Sequence, residues 1–321
     1  MLQELFRIPV VDLPVYGYGL MLVIGFLAAA QLAKRLARRC GLNGDLFVNA
    51  AILALLAGIV GARLCHIIEN FSDFTDPRHS AGENLWRMIN LTSGGLTFYG
   101  GFLLAFPLLV WYAIRKGIPL RLGMDIVAPC LMVGLGFGRL GCFFNGCCHG
   151  AECDSPLAMS FPYHSPPYIE QIGDKANPLV PPAKLVAKRD GDSLVLKGTD
   201  QVRRDAELRD LAAHEHSRPV LPTQLFSAFN AFLIAAVCLA FLTVPHGAGR
   251  VFALMLILKG ISRFILEMIR VEPRQVGPLT LSQALSIVLV ALGIAMWLRF
   301  GRSTAPIVAT RVQPLPGRGA A

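Results

Sequence analysis

Residues Gly136–Gly150 read GFGRLGCFFNGCCHG and close an apolar run that begins near residue 122. A segment long enough to cross a bilayer thus ends on an arginine, five glycines, an asparagine and three cysteines. Charge near bilayer depth is expensive, and glycines at this density let backbones approach each other or a ligand. The stretch therefore reads as a membrane helix that carries a functional site.

The chain around it agrees. An apolar share of 54%, a charged share of 16% and a mean hydropathy of +0.54 describe an all-α polytopic membrane protein rather than a soluble domain. The formal charge of +9 does not point to nucleic acid. Segment 151–222 holds nine Lys/Arg against eleven Asp/Glu, so the membrane-flanking remainder carries +11. The basic excess belongs to membrane topology.

A spanning helix needs about 20 mostly apolar residues. Seven stretches qualify, near 15–33, 46–68, 95–114, 122–144, 224–243, 249–269 and 279–300. Basic residues concentrate in alternate short loops: Lys34, Arg35, Arg38 and Arg39; Arg115, Lys116 and Arg121; Arg250; then Arg299, Arg302, Arg311 and Arg318. The opposite loops hold fewer: Arg7, Arg78, Arg87, Arg270 and Arg274. The positive-inside rule then predicts an outer N-terminus and a cytoplasmic C-terminus. Only Arg7 precedes the first apolar run, whereas four basic residues follow it at once, the reverse of a cleaved secretory signal.

The expected organisation is a membrane bundle over 1–150 carrying spans 1 to 4, a small external head over 151–222, spans 5 to 7 over 223–302, and a disordered cytoplasmic tail over 303–321. The middle of the head, about 173–217, alternates Pro-rich and charged pieces and predicts a hairpin or two with mobile loop.

On this topology the polar residues of the spans converge at one depth, toward the outer face. Tyr18 begins span 1, Arg63 ends span 2 and Tyr99 begins span 3. Arg139 sits about five residues from the outer end of span 4, roughly 8 Å at 1.5 Å per residue. Arg263 and Glu267, spaced i,i+4, lie near the outer end of span 6. Each has an ordinary alternative: a snorkelling arginine, an aromatic belt, an intrahelical pair. Three arginines beside glycine-rich backbone together suit a buried anion such as a lipid phosphodiester. Gly94-Gly95 and Gly100-Gly101 suit the same close approach, or equally a helix-packing interface.

YGLM (Tyr18–Met21), GARL (Gly61–Leu64), GGLTFYGG (Gly94–Gly101), GFGRLGCFFNG followed by Gly150, LPTQL (Leu221–Leu225) and SRFILEMIRVEP (Ser262–Pro273) together resemble the prolipoprotein diacylglyceryl transferase family. The resemblance implies a seven-span enzyme of the bacterial inner membrane. Such an enzyme moves the diacylglyceryl group of phosphatidylglycerol onto the lipobox cysteine thiol of a prolipoprotein signal peptide and releases glycerol phosphate. By motif, Arg139 and Arg263 would hold the phosphate, Tyr18 would lie in the lipid site and Glu267 would orient an arginine. Asn145, Gly146 and Gly150 would end the main motif, and Arg63 would join the polar floor. No metal or soluble cofactor is implied.

The chain departs from the family pattern at Tyr99, where histidine is usual, and at Cys142 and Cys147, where asparagine and glutamate are usual. Ser227 replaces an acidic residue. A phenol with a pKa near 10 is a poorer base at neutral pH than imidazole, so Tyr99 would need help, or His149 would substitute. Cys142, Cys147, Cys148 and Cys153 beside His149 offer zinc ligands, one or two disulfides, or packed free thiols. Two rival functions fit the departures: a non-catalytic phospholipid-binding protein, and a related transferase with another acceptor.

Overall fold

The computed structural model describes residues 4–8, 13–75, 80–90, 95, 97–190, 193–269 and 279–301. The chain begins with an antiparallel hairpin, β1 (Glu4–Ile8) and β2 (Leu13–Tyr16), that runs directly into α1 (Gly17–Arg39). Then follow α2 (Gly44–Glu69), the short α3 (Phe71–Phe74) and α4 (Ala81–Ile89), α5 (Phe98–Arg115) and α6 (Leu120–Asn145). The polar middle contains α7 (Pro166–Ile172), the hairpin β3 (Val186–Asp190) and β4 (Ser193–Leu196), α8 (Thr199–Arg204) and α9 (Ala206–His214). Three long helices finish the described chain: α10 (Thr223–Leu242), α11 (Arg250–Glu267) and α12 (Leu281–Arg299).

Long helices thus occupy all seven apolar stretches, but only α1, α2, α6, α10 and α12 are long and apolar enough to cross a membrane by length and composition. The apolar part of α5 is shorter, and α11 carries Arg250, Lys259, Arg263 and Glu267 within 18 residues. The protein is mostly helical and multi-pass. The expected cytoplasmic tail from 303 onward, Gly94 and the RVEP end of the sixth motif lie outside the described residues.

The described residues form two compact units. Within the described residues, one gathers positions from 1–29, 128–241 and 250–301, and the other positions from 30–127 and 242–249. In the second unit, small residues set the packing of α2 on α5. A side chain at Gly101 would come within 2.8 Å of the Gly58 carbonyl, and one at Gly61 would run into Gly100 and Leu104. Without a hydrophobic drive between helices in lipid, such close backbone approach supplies the association. In the first unit α11 and α12 repeat the device: Gly260 faces Val290 and the Ser286 carbonyl, and Gly293 faces Ile257 and the Ala253 carbonyl.

The expected hairpin is present as β3–β4, and around it, where mobile loop was also expected, three short helices pack on a small core of Tyr163, Tyr168, Leu185, Val202, Leu208 and Ala212. Their apolar side chains are spread among charged neighbours with too little periodicity to announce a core from sequence. The buried Tyr163 hydroxyl donates to the Lys197 carbonyl at 2.9 Å, with the Leu185 carbonyl at 3.3 Å. Arg218 ties the base of this region with two contacts to Glu152, at 2.8 and 2.9 Å.

Replacing Tyr163 with Phe should destabilise this segment by about 1–3 kcal/mol, because the buried Leu185 carbonyl and the part-buried Lys197 carbonyl lose their partner. Faster limited proteolysis within 151–222 is the readout. Burial also pushes the Tyr163 phenol from 10.0 up to about 12. The folded segment holds a proton that the unfolded chain releases, so this contribution is present below pH ~10 and fades as pH rises through ~12.

Candidate active site

The site is built from residues of α1, α6, α10, α11 and α12 that lie in the first unit. On α11, Lys259, Arg263 and Glu267 recur every fourth residue and so share one face. Arg263 Nη2 lies 3.0 Å from Glu267 Oε2 and donates to Ser282 Oγ at 2.8 Å. Glu267 is buried, and its other oxygen accepts from Thr280 Oγ1 at 3.3 Å. Thr280 is in turn the N-cap of α12, in a reciprocal capping box with Gln283. A buried carboxylate without a partner is strongly unfavourable. Glu267 therefore fixes both the arginine and the start of the next helix.

Arg139, from α6, completes a cationic cluster. The positive charges of Arg139 and Arg263 both act on the Lys259 ammonium. Cations held together among apolar helices repel, and an anion between them is the group that relieves the repulsion. One glutamate answers one of the three. The arrangement is suited to a phosphate group, with guanidinium forks for its oxygens.

Where α6 ends at Asn145, the backbone turns through Gly146 at φ +78° and Cys148 at φ +62°. The left-handed conformation at a non-glycine residue is uncommon. It is held by the start of α10: Thr223 Oγ1 donates to the Cys148 carbonyl at 2.7 Å, and Gln224 Nε2 to the Cys147 carbonyl at 2.8 Å. The Gly150 N–H then donates to the Leu221 carbonyl at 2.8 Å. A Cβ at Gly150 would sit 2.7 Å from Thr223 and 2.9 Å from Leu221, so only glycine fits. The LPTQL string is thus the clamp on the cysteine turn. Tyr18 packs against Gly141 and shares its electrostatic surroundings with Arg139, Cys142, Cys147 and Cys148.

All eight cysteines are free thiols. The Sγ atoms of Cys142, Cys147 and Cys148 lie within 4.8 Å of one another, each side chain half-buried, while Cys153 stands outside this group. Asn145 places its side chain in hydrogen-bonding range of the Cys147 thiol. His149 turns elsewhere, with Nδ1 3.0 Å from the Gly150 carbonyl and Nε2 3.1 Å from Glu170.

Arg63 and Tyr99 belong to the second unit. Arg63 is buried, and its guanidinium donates to the carbonyls of Met88, Gly95, Arg87 and Asn90 at 2.9, 3.0, 2.5 and 2.9 Å, above the Phe74 ring at 5.3 Å. It neither snorkels nor offers an open fork to an anion; it holds the C-terminal end of α4 and Gly95 against α2. Tyr99 stands at the first turn of α5 and is 61% exposed.

Lys259 escaped the sequence reading, although its i,i+4 spacing to Arg263 was visible. Thr223 and Gln224 stood in the LPTQL motif without a role, and Thr280 and Ser282 carried no signal, because each acts through a partner distant in sequence.

Fold and site together define a multi-pass membrane protein with cationic side chains gathered between its helices. The sequence profile of the prolipoprotein diacylglyceryl transferase family matches residues 3–299, and the chain belongs to that family. It is 33% identical to the phosphatidylglycerol–prolipoprotein diacylglyceryl transferase of Rhodopirellula baltica, covering 88% of this chain and 72% of that protein. Proteins of the same name from Clostridium tetani and Corynebacterium efficiens are 27% and 29% identical, covering 88% and 90% of this chain and 92% and 79% of their own.

Lys259→Met should lower retention of an anionic phospholipid by about tenfold, equivalent to ~1.4 kcal/mol. Native mass spectrometry of the detergent-solubilised protein measures it, with a zwitterionic lipid as the comparison.

Proposed function

We propose that this protein transfers the diacylglyceryl group of phosphatidylglycerol to the lipobox cysteine thiol of prolipoproteins. The observation that carries this reading is the cluster of Arg139, Lys259 and Arg263 anchored by buried Glu267, on a chain of this family. Seven helices span the bacterial inner membrane, with α5 and α11 completing the set and the charges of α11 facing protein rather than lipid. The N-terminus and the 151–222 head lie outside, and the C-terminus lies in the cytoplasm.

Attack of the thiol sulfur on the glycerol carbon forms a C–S bond and breaks the C–O bond to phosphate. Charge accumulates on the departing phosphate monoester. Arg139 and Arg263 stabilise that charge more than they stabilise the starting diester, which lowers the barrier. Lys259 adds to the same field. Tyr18 lines the lipid site, and Asn145 and Gly150 shape the turn beside it. Glu267 acts through Arg263 as a positioning residue.

Loss of a proton from the acceptor thiol is the step for which these side chains supply least. A free thiol has a pKa near 8.5, and the phenol of Tyr99 is a weak base at neutral pH.

Purified protein with phosphatidylglycerol and a lipobox peptide should give a peptide heavier by one diacylglyceryl group and an equal amount of glycerol phosphate. Arg139→Gln and Arg263→Gln should each lower the rate by about 10²-fold or more. Bound lipid with neither product would leave a phospholipid-binding protein, and the transferase reading would fall. A Tyr99→Phe variant that keeps its rate would remove Tyr99 from the proton transfer.

A further inference from the structure

The three converged thiols play no part in the mechanism above, and a redox role lacks the CxxC spacing. They stand one helical turn beyond Arg139: Arg139 and Cys142 are i,i+3 neighbours on α6, about 5–6 Å apart at Cβ by helix geometry. The sulfurs already share one locus within 4.8 Å. Two distant groups fix that locus, since Thr223 and Gln224 grip the carbonyls of Cys148 and Cys147. Both nitrogens of the adjacent His149 are engaged by Gly150 and Glu170, so the ring does not close the set. Among the described residues, no fourth His, Cys, Asp or Glu joins it.

Three protein ligands with one position open is the pattern of a reactive zinc centre rather than a structural one, which would be closed by four. Zinc suits thiolates at about 2.3 Å, so the sulfurs need only draw together. The acceptor in the proposed reaction is itself a thiol, the fourth ligand such a centre would favour.

We infer that Cys142, Cys147 and Cys148 bind Zn²⁺ and that its open position takes the acceptor cysteine of the prolipoprotein. This rests on the transferase reading for its substrate. Coordination deprotonates a thiol outright, and the proton leaves to water. The zinc-bound sulfur then supplies the electron pair for the new C–S bond, and the electrons of the C–O bond leave with glycerol phosphate. No change of oxidation state occurs. The side chain of Asn145, near Cys147, is placed to donate to a ligand sulfur and hold it.

The test uses the full chain purified in detergent without chelator. About one zinc per chain is expected by elemental analysis, exchangeable for Co²⁺ with thiolate-to-cobalt charge-transfer absorption. A lipobox peptide should intensify that absorption, and the same peptide with serine for cysteine should not. Cys142→Ser, Cys147→Ser and Cys148→Ser should each weaken Zn²⁺ binding by at least the ~10–100-fold that loss of an orienting partner costs a metal site. Cys153→Ser should leave it unchanged.

Wild-type protein that takes up neither Zn²⁺ nor Co²⁺, or a disulfide joining two of the three sulfurs in a non-reducing peptide map, overturns the inference whatever the variants do. Transfer that continues unaltered after zinc is stripped also overturns it, and leaves the transferase reading standing. A cobalt spectrum that answers the cysteine peptide without any diacylglyceryl transfer upholds the metal–thiol site and removes the transferase reading instead.

Discussion

A charge carried into a membrane must be answered inside the protein, and much of this structure consists of such answers. Arg63 is enclosed by four backbone carbonyls and an aromatic ring, which also satisfies loop carbonyls that would otherwise face apolar surroundings. Glu267 is answered by Arg263 and Thr280, and that answer joins α11 to the cap of α12. What remains is a positive excess at Arg139, Lys259 and Arg263. The same rule that makes buried charges costly turns this excess into a site for an anion.

The turn after α6 shows how a reactive group is held without rigid secondary structure. Gly146 and Cys148 adopt left-handed conformations, and the chain returns to Gly150 against Leu221. Side chains at the start of α10 take the carbonyls that the turn exposes. Three motifs that are far apart in the sequence, at Tyr18, at Arg139–Gly150 and at Leu221–Leu225, are therefore one local structure. Within that structure the sulfurs of Cys142, Cys147 and Cys148 meet.

Hydropathy alone was enough to find every long helix, because apolar runs of about 20 residues have few other fates. It could not say where α5 begins and ends, since the ends of helices depend on caps and packing. The glycine runs were ambiguous between ligand approach and helix packing. Gly61, Gly100 and Gly101 belong to packing, and Gly150 to the site.

The sequence by itself determined a multi-pass helical membrane protein and its family, because both are written in local composition and in motifs with fixed spacing. It also marked Arg139, Arg263 and Glu267, whose rarity in apolar runs is visible residue by residue. Only the tertiary structure decided that Arg63 is scaffolding, that Lys259 faces the arginines, and that Cys142, Cys147 and Cys148 meet while Cys153 does not. The reason is physical: a side chain's rarity can be read along the chain, but its partners are chosen by how helices pack and how a turn is clamped.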